Sequence, residues 1–342
     1  MESVNDCRIH MDGGILDYQI DIGTRYAVYG SAFLTICLGY LAIVKINEAI
    51  HQDLFADDEA GDDKMYNCIE KHKKIMRPIC TTLNLTGIAM VCAAFANQSR
   101  NVQQRVAESS DENANPQGPF TLFHAYTLLS LLWLITLIGM MMHVQTWIFY
   151  MIHRQWSFVG RSTDRLISSI WVGTHWYLLQ VGFMGVYGYY VSTNRQSFPP
   201  TPCNISPFSN GGFRMFARVV YIIAMIPVVN VGLLCALLVG TVWALSWIAT
   251  YLRDRHAQVV AFNPAVFSFF WFFVCSIIAL VITITTEAIL FAGTDGQNIW
   301  SFGSLLALFL LVIPAETFVG QLYSTLAPNW LQRLRHRQYN NI

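Results

Sequence analysis

Apolar residues run through seven long stretches of this chain, and the charged residues cluster in the gaps between them. The stretches cover approximately 26–44, 78–96, 122–150, 170–191, 219–251, 265–292 and 299–322. Crossing the roughly 30 Å hydrocarbon layer of a bilayer takes about 20 helical residues. Each stretch is about that long, and the third, fifth and sixth are longer, so they should tilt or project beyond the apolar layer. Inside that layer no water can satisfy backbone groups, which makes helices the expected element. The pattern therefore predicts an all-α fold, a polytopic bundle of about seven transmembrane helices forming one domain over residues 1–342.

Composition supports this class, with only 12% charged residues and a mean hydropathy of +0.41. The formal net charge is zero, and no nucleic-acid partner is expected. The distribution of Lys and Arg then predicts orientation. Lys64, Lys71, Lys73, Lys74, Arg77, Arg154, Arg161, Arg165, Arg253, Arg255, Arg333, Arg335 and Arg337 fall on one side. Arg8, Arg25, Arg100, Arg105, Arg195, Arg214 and Arg218 fall on the other. The positive-inside rule places the first side, with the tail, in the cytosol and the N-terminus outside or in the lumen. Two glycosylation sequons, at Asn97 and Asn204, lie on the lumenal side. Asn84-Leu85-Thr86 fits the same pattern but sits inside the second span, out of a transferase's reach. Cys7 and Cys203 are both lumenal, where an oxidising compartment permits a disulfide or leaves two free thiols. Cys37, Cys80, Cys92, Cys235 and Cys275 fall within spans, where a thiol serves as a small apolar filler.

Residues 1–24 are polar and lack the apolar core of a cleavable signal, so the first span is expected to direct insertion. No internal repeat and no matched pair of broken helices suggests inverted transporter halves. The run Asp57-Asp58-Glu59-Ala60-Gly61-Asp62-Asp63 resembles, on its face, the paired carboxylates that hold magnesium–diphosphate. A solvated acidic loop over 54–63 explains it better, since Gly61 interrupts it and no second Asp-rich motif completes a site. A basic helical segment is expected at 64–77 and a polar loop at 107–118. No metal and no cofactor is expected.

Polar residues inside the spans carry more information, because burying them in hydrocarbon is costly. His143 and Gln145 lie in the third span, His175 and Gln180 in the fourth, Asn230 just after Pro227 in the fifth. Glu287 lies near the lumenal end of the sixth, and Glu316 two residues after Pro314 in the seventh. A carboxyl in a low-dielectric layer is favoured in its neutral form and can then act as a general acid. Proline frees a backbone carbonyl and makes room around it. Glu316 is thus the leading candidate acid and Glu287 the next, with His143 and His175 as groups that orient it or take up a proton. Each also has a plainer reading: interhelical hydrogen bonding for the histidines, and contact with the headgroup region for Glu287. Gly182, Gly185 and Gly188 are expected to let a neighbouring helix approach closely. Aromatics form 14% of the chain and crowd the fourth and sixth spans. Interfacial belts explain most of them, and aromatic faces can also stabilise a cation.

Known seven-span classes fit poorly. The last span has no lysine for retinal, the third ends in Ile152-His153-Arg154-Gln155-Trp156 without a DRY-like triplet, and Pro314-Ala315-Glu316-Thr317-Phe318 stands where a receptor would carry NPxxY. The NDxxDxxxD signature of UbiA-type prenyltransferases is absent. Ile299-Trp300-Ser301-Phe302-Gly303, followed by the apolar run to Pro314, resembles the last span of seven-span proteins of filamentous fungi. Among these are integral-membrane terpene cyclases of the ascofuranone and ascochlorin type, encoded in natural-product clusters. The resemblance implies ring closure, without a metal, on an oxidised or unsaturated prenyl chain attached to an aromatic core. It covers one span and transfers no catalytic residue. The expected partner is an apolar prenylated small molecule arriving from the bilayer, and the expected location is the endoplasmic reticulum, another endomembrane or the plasma membrane. The alternatives are a seven-span receptor or sensor and a non-catalytic transporter or scaffold.

Overall fold

The computed structural model describes residues 22–53, 60–108, 122–156, 163–194, 198, 211–227, 229–230, 264–293, 315–316 and 318–320. Six long helices account for nearly all of them: α1 (Ile22–Asp53), α2 (Ala60–Glu108), α3 (Leu122–Trp156), α4 (Thr163–Thr193), α5 (Gly211–Met225) and α6 (Pro264–Gly293). There is no strand among the described residues. Four segments are long and apolar enough to cross a membrane: Thr24–Lys45, Glu70–Ala96, His124–Thr146 and Ser268–Glu287. On that ground the chain is a membrane protein.

The bundle is organised around α3. Its spanning segment is 78% buried within the protein, against 22% for that of α6. It packs on α1, α2, α4 and α6, while α2 also meets α1 and α4, α1 meets α6, and α4 meets α5. Leu131, Leu134, Ile135, Ile138 and Met141 of α3 fill a core shared with α1, α2 and α6. On its other side, Ala125, Leu128, Leu129 and Leu132 join Val91 of α2, Tyr187 of α4 and Tyr221 of α5. Phe269, Phe270, Phe273, Leu280 and Ile284 of α6 are exposed, as expected of a surface facing lipid rather than water.

The α4–α5 contact depends on a glycine. A Cβ at Gly185 would stand 2.7 Å from the Met225 nitrogen and 2.8 Å from the Tyr221 oxygen. Those are backbone atoms and cannot yield, so the two helices can approach this closely only without a side chain. Gly188 likewise lies under the Tyr221 ring, as the close-packing expectation has it, but Gly182 meets nothing within 4 Å. Trp133 Nε1 donates to Tyr221 Oη at 3.3 Å and ties α3 to the same place. Arg218 donates from Nε and Nη2 to the Ser192 carbonyl, at 3.4 and 3.1 Å. That satisfies a carbonyl in the last turn of α4, where a cation also complements the helix dipole.

Most helices extend past the apolar stretches, and the departures matter most in α2 and α5. The acidic run does not stay a loop to residue 63, because α2 begins at Ala60 and carries Gly61, Asp62 and Asp63 in its first turn. Negative residues are favoured at that end of a helix. The helix then runs through Pro78 without a break to Glu108, about 73 Å at 1.5 Å per residue. It thereby absorbs the basic segment and the first residues of the loop expected at 107–118. The helix in the stretch expected as the fifth span begins earlier, at Gly211, and is interrupted at Ile226. Pro227 has no N–H for the Ile223 carbonyl, which instead accepts from Ile226 N at 3.2 Å. Asn230 then donates from Nδ2 to the Ala224 carbonyl at 2.6 Å. The amide thus bridges back across the proline to α5, at a carbonyl other than the one the proline leaves without its usual donor. Residues 231–251 and most of 299–322, with the Trp-x-Phe-Gly turn, lie outside the described residues.

Candidate functional site

Polar side chains inside the bundle form three groups. The first joins α1 to α6: Arg25 Nη1 lies 2.9 Å from Glu287 Oε1. Arg25 is largely buried, with 13% of its side chain exposed, and Glu287 is 36% exposed. The Tyr29 hydroxyl, one turn along α1, faces the same carboxylate but falls outside hydrogen-bond geometry. Sequence placed Glu287 as the second candidate acid, or as a carboxyl reaching the headgroup region. The structure gives it a guanidinium partner on the opposite side of the chain's order, so in this conformation it is half of an ion pair.

The second group joins α1, α2 and α3. Gln145 is wholly buried and donates from Nε2 to the Gly39 carbonyl at 3.0 Å, with His72 against it. Ser276 of α6 lies 3.4 Å from the Tyr40 hydroxyl nearby, and Tyr40 packs edge-on to Phe269 and Phe272. These contacts bind helices together, the role that intramembrane amides commonly take.

The third group sits at the meeting of α2, α3 and α4. Gln180 Nε2 donates to the Leu132 carbonyl at 3.4 Å, and Thr136 Oγ1 lies 2.8 Å from that carbonyl and 3.2 Å from Gln180 Oε1. One turn further along α3, Gly139 lets Tyr177 lie directly on the helix, its ring 2.6 Å from where a Cβ would be. The His143 ring packs on Tyr177 with centroids 4.8 Å apart at 34°. His143 Nδ1 is 2.7 Å from the Gly139 carbonyl. A carbonyl only accepts, so Nδ1 carries the hydrogen, and in the neutral ring Nε2 keeps a lone pair. Asn84 of α2 reaches the same glycine with its Oδ1 buried and unpaired among the described residues.

The remaining expected site residues do not converge on this group. His175 is exposed on α4, its ring beside that of its neighbour Trp176. Glu316 is exposed and two residues from Phe318, which packs on the core shared by α1, α2, α3 and α6. Glu316 has no ion pair or hydrogen bond among the described residues. Asn97 is a helical residue of α2, and Cys37, Cys80, Cys92 and Cys275 are free thiols. Asn204, Cys7 and Cys203 lie outside the described residues. Among the described residues no cluster of His, Cys, Asp or Glu could hold a metal ion.

Sequence reading passed over Asn84, noted only as a sequon out of reach, and Arg25, noted only as a lumenal charge. A usable signal existed for the second: Arg25 opens the apolar segment of α1 and Glu287 closes that of α6, so antiparallel helices bring both to one edge. No protein-family model, no curated protein and no solved structure matches this chain.

Proposed function

We propose that this protein is a membrane-bound, metal-independent terpene cyclase that closes a ring on a prenyl chain within the bilayer. The observation that carries the reading is the His143–Tyr177 pair beside Asn84, where three helices of a mostly apolar bundle meet. It combines a base, an aromatic ring and a hydrogen-bond acceptor, a set suited to an apolar substrate that develops positive charge. In the mechanism, a carboxylic acid gives one proton to an epoxide oxygen and the C–O bond breaks. An internal alkene or hydroxyl attacks the cation and closes the ring. Loss of one proton to His143 Nε2 restores neutrality, so the product is an isomer of the substrate. Glu316, exposed and without a contact to the His143 group among the described residues, is the acid in this scheme because Glu287 is engaged with Arg25, and a long prenyl chain would have to span the two. The substrate reaches the bundle laterally from an endomembrane.

The full-length protein in lipid, offered an epoxidised farnesyl phenol and followed by mass spectrometry, tests the reading. An isomeric product formed in the presence of a chelator is expected. Glu316→Gln keeps the side chain's volume but removes its transferable proton, and should lower turnover about 10²-fold or more. Glu287→Gln should retain more activity than Glu316→Gln. Full activity in both variants would sink the mechanism. Saturable binding without turnover would favour a receptor.

A further inference from the structure

One face of α2 stays exposed through its membrane segment: Lys71, Lys74, Thr82, Leu85 and Ala89 follow one another along it, with Arg77 beside them. Their helical spacing keeps these positions on one side of the helix. The spanning segment Glu70–Ala96 has 27 residues, about 40 Å at 1.5 Å per residue, against roughly 30 Å of hydrocarbon. The surplus falls at the charged end, because residues 79–96 alone cover about 27 Å. Lys71, Lys74 and Arg77 therefore stand at the level of the lipid headgroups, spread over about 9 Å of helix. None of the three has an ion pair or hydrogen bond among the described residues, although Glu70 lies one turn from Lys74. The outer face of α6 differs, with large exposed phenylalanines and no Lys or Arg anywhere from Pro264 to Gly293.

We propose that this face of α2 holds an anionic phospholipid, its headgroup among Lys71, Lys74 and Arg77 and an acyl chain along Thr82, Leu85 and Ala89. Charge is what recognises it. Three exposed cations without a carboxylate partner attract a headgroup of net negative charge, whereas a zwitterionic headgroup offsets its phosphate with its own cation. Lys and Arg can lay their methylene stems on the helix and lift their charged ends to the phosphates. The Lys and Arg distribution assigns this end to the cytosolic leaflet, where anionic lipids are concentrated. The inference is independent of the cyclase reading, since it needs only α2 in a membrane.

The probes are phosphatidylserine and phosphatidylcholine with the same acyl chains, titrated into the full-length protein in detergent and counted on it by native mass spectrometry. The wild type should hold its first phosphatidylserine about 10-fold or more tightly than its first phosphatidylcholine. The triple variant Lys71→Gln, Lys74→Gln, Arg77→Gln should bind both lipids at the phosphatidylcholine affinity. Arg100→Gln with Arg105→Gln, at the other end of the same helix, should keep the wild-type preference. Equal affinity of the wild type for the two lipids would overturn the proposal and leave the cations to an acidic protein segment. A preference that survives in the triple variant places the lipid elsewhere, and one lost equally in the Arg100 and Arg105 variant reflects overall charge; either result overturns the site. Should the triple variant fail to fold, Lys74→Gln alone decides: it should weaken the preference about 5-fold, and an unchanged preference sinks the proposal.

Discussion

Arg25 and Glu287 illustrate how a charge pair at a membrane edge behaves. Removing one partner leaves the other to bear its desolvation alone, whereas removing both leaves apolar groups where apolar groups are welcome. Arg25→Leu and Glu287→Leu should each cost roughly 1–2 kcal/mol, between the limits for surface and buried pairs, since Glu287 keeps contact with solvent. The double variant should recover most of that loss. Thermal unfolding in one fixed detergent measures all three, and additive losses would show that the two side chains do not interact. High salt should weaken the pair less than it would an exposed one, because Arg25 is mostly buried.

Single elements owe their shape to backbone accounting. In α4, Gly185→Ala drives a methyl group into the backbone of α5 and should destabilise the protein by about 2 kcal/mol, while Gly182→Ala should change stability by less than about 0.5 kcal/mol. Equal effects at both positions would remove the close-approach argument. At the break after α5, Asn230→Leu removes the side-chain hydrogen bond to the Ala224 carbonyl and should cost about 1–3 kcal/mol. In a Pro227→Ala background the restored N–H belongs to the Ile223 carbonyl and not to Ala224, so a lower cost of the same substitution there would show that the amide offsets the distortion the proline imposes. A double-mutant cycle reads that coupling directly, and a coupling of zero would mean the amide does not compensate for the proline.

At the scale of the molecule, the charge distribution sets an expectation that protease protection on sealed microsomes can check. The Arg333–Arg337 tail should be digested from the outside of the vesicle, the cytosolic face, without permeabilisation. Digestion only after permeabilisation would reverse the orientation. A glycosidase-sensitive mass shift lost in Asn204→Gln would support the same arrangement. Among the described spanning segments that of α3 is the most buried, so substitutions there should be tolerated less than those on the exposed face of α6.

Hydrophobic length alone determined that this chain forms membrane helices, because a polar backbone in hydrocarbon must pair within its own segment and about 20 apolar residues suffice to cross. A missing N–H did not by itself decide where a helix stops, since α2 runs through Pro78 without a break while the helix is interrupted at Ile226, before Pro227. Helix ends were less legible: amphipathic turns at Gly211–Arg218 and the acidic start at Ala60 extend helices past their apolar cores. Which polar residues meet was not legible at all. Glu287 looked like a lone carboxyl until packing supplied Arg25, some 262 residues away. Asn84, Gly139, His143 and Tyr177 belong to three helices, and their meeting depends on helix rotation and crossing. Those are fixed by how ridges, grooves and glycines fit between neighbours, a property of pairs of helices that no single segment's sequence contains.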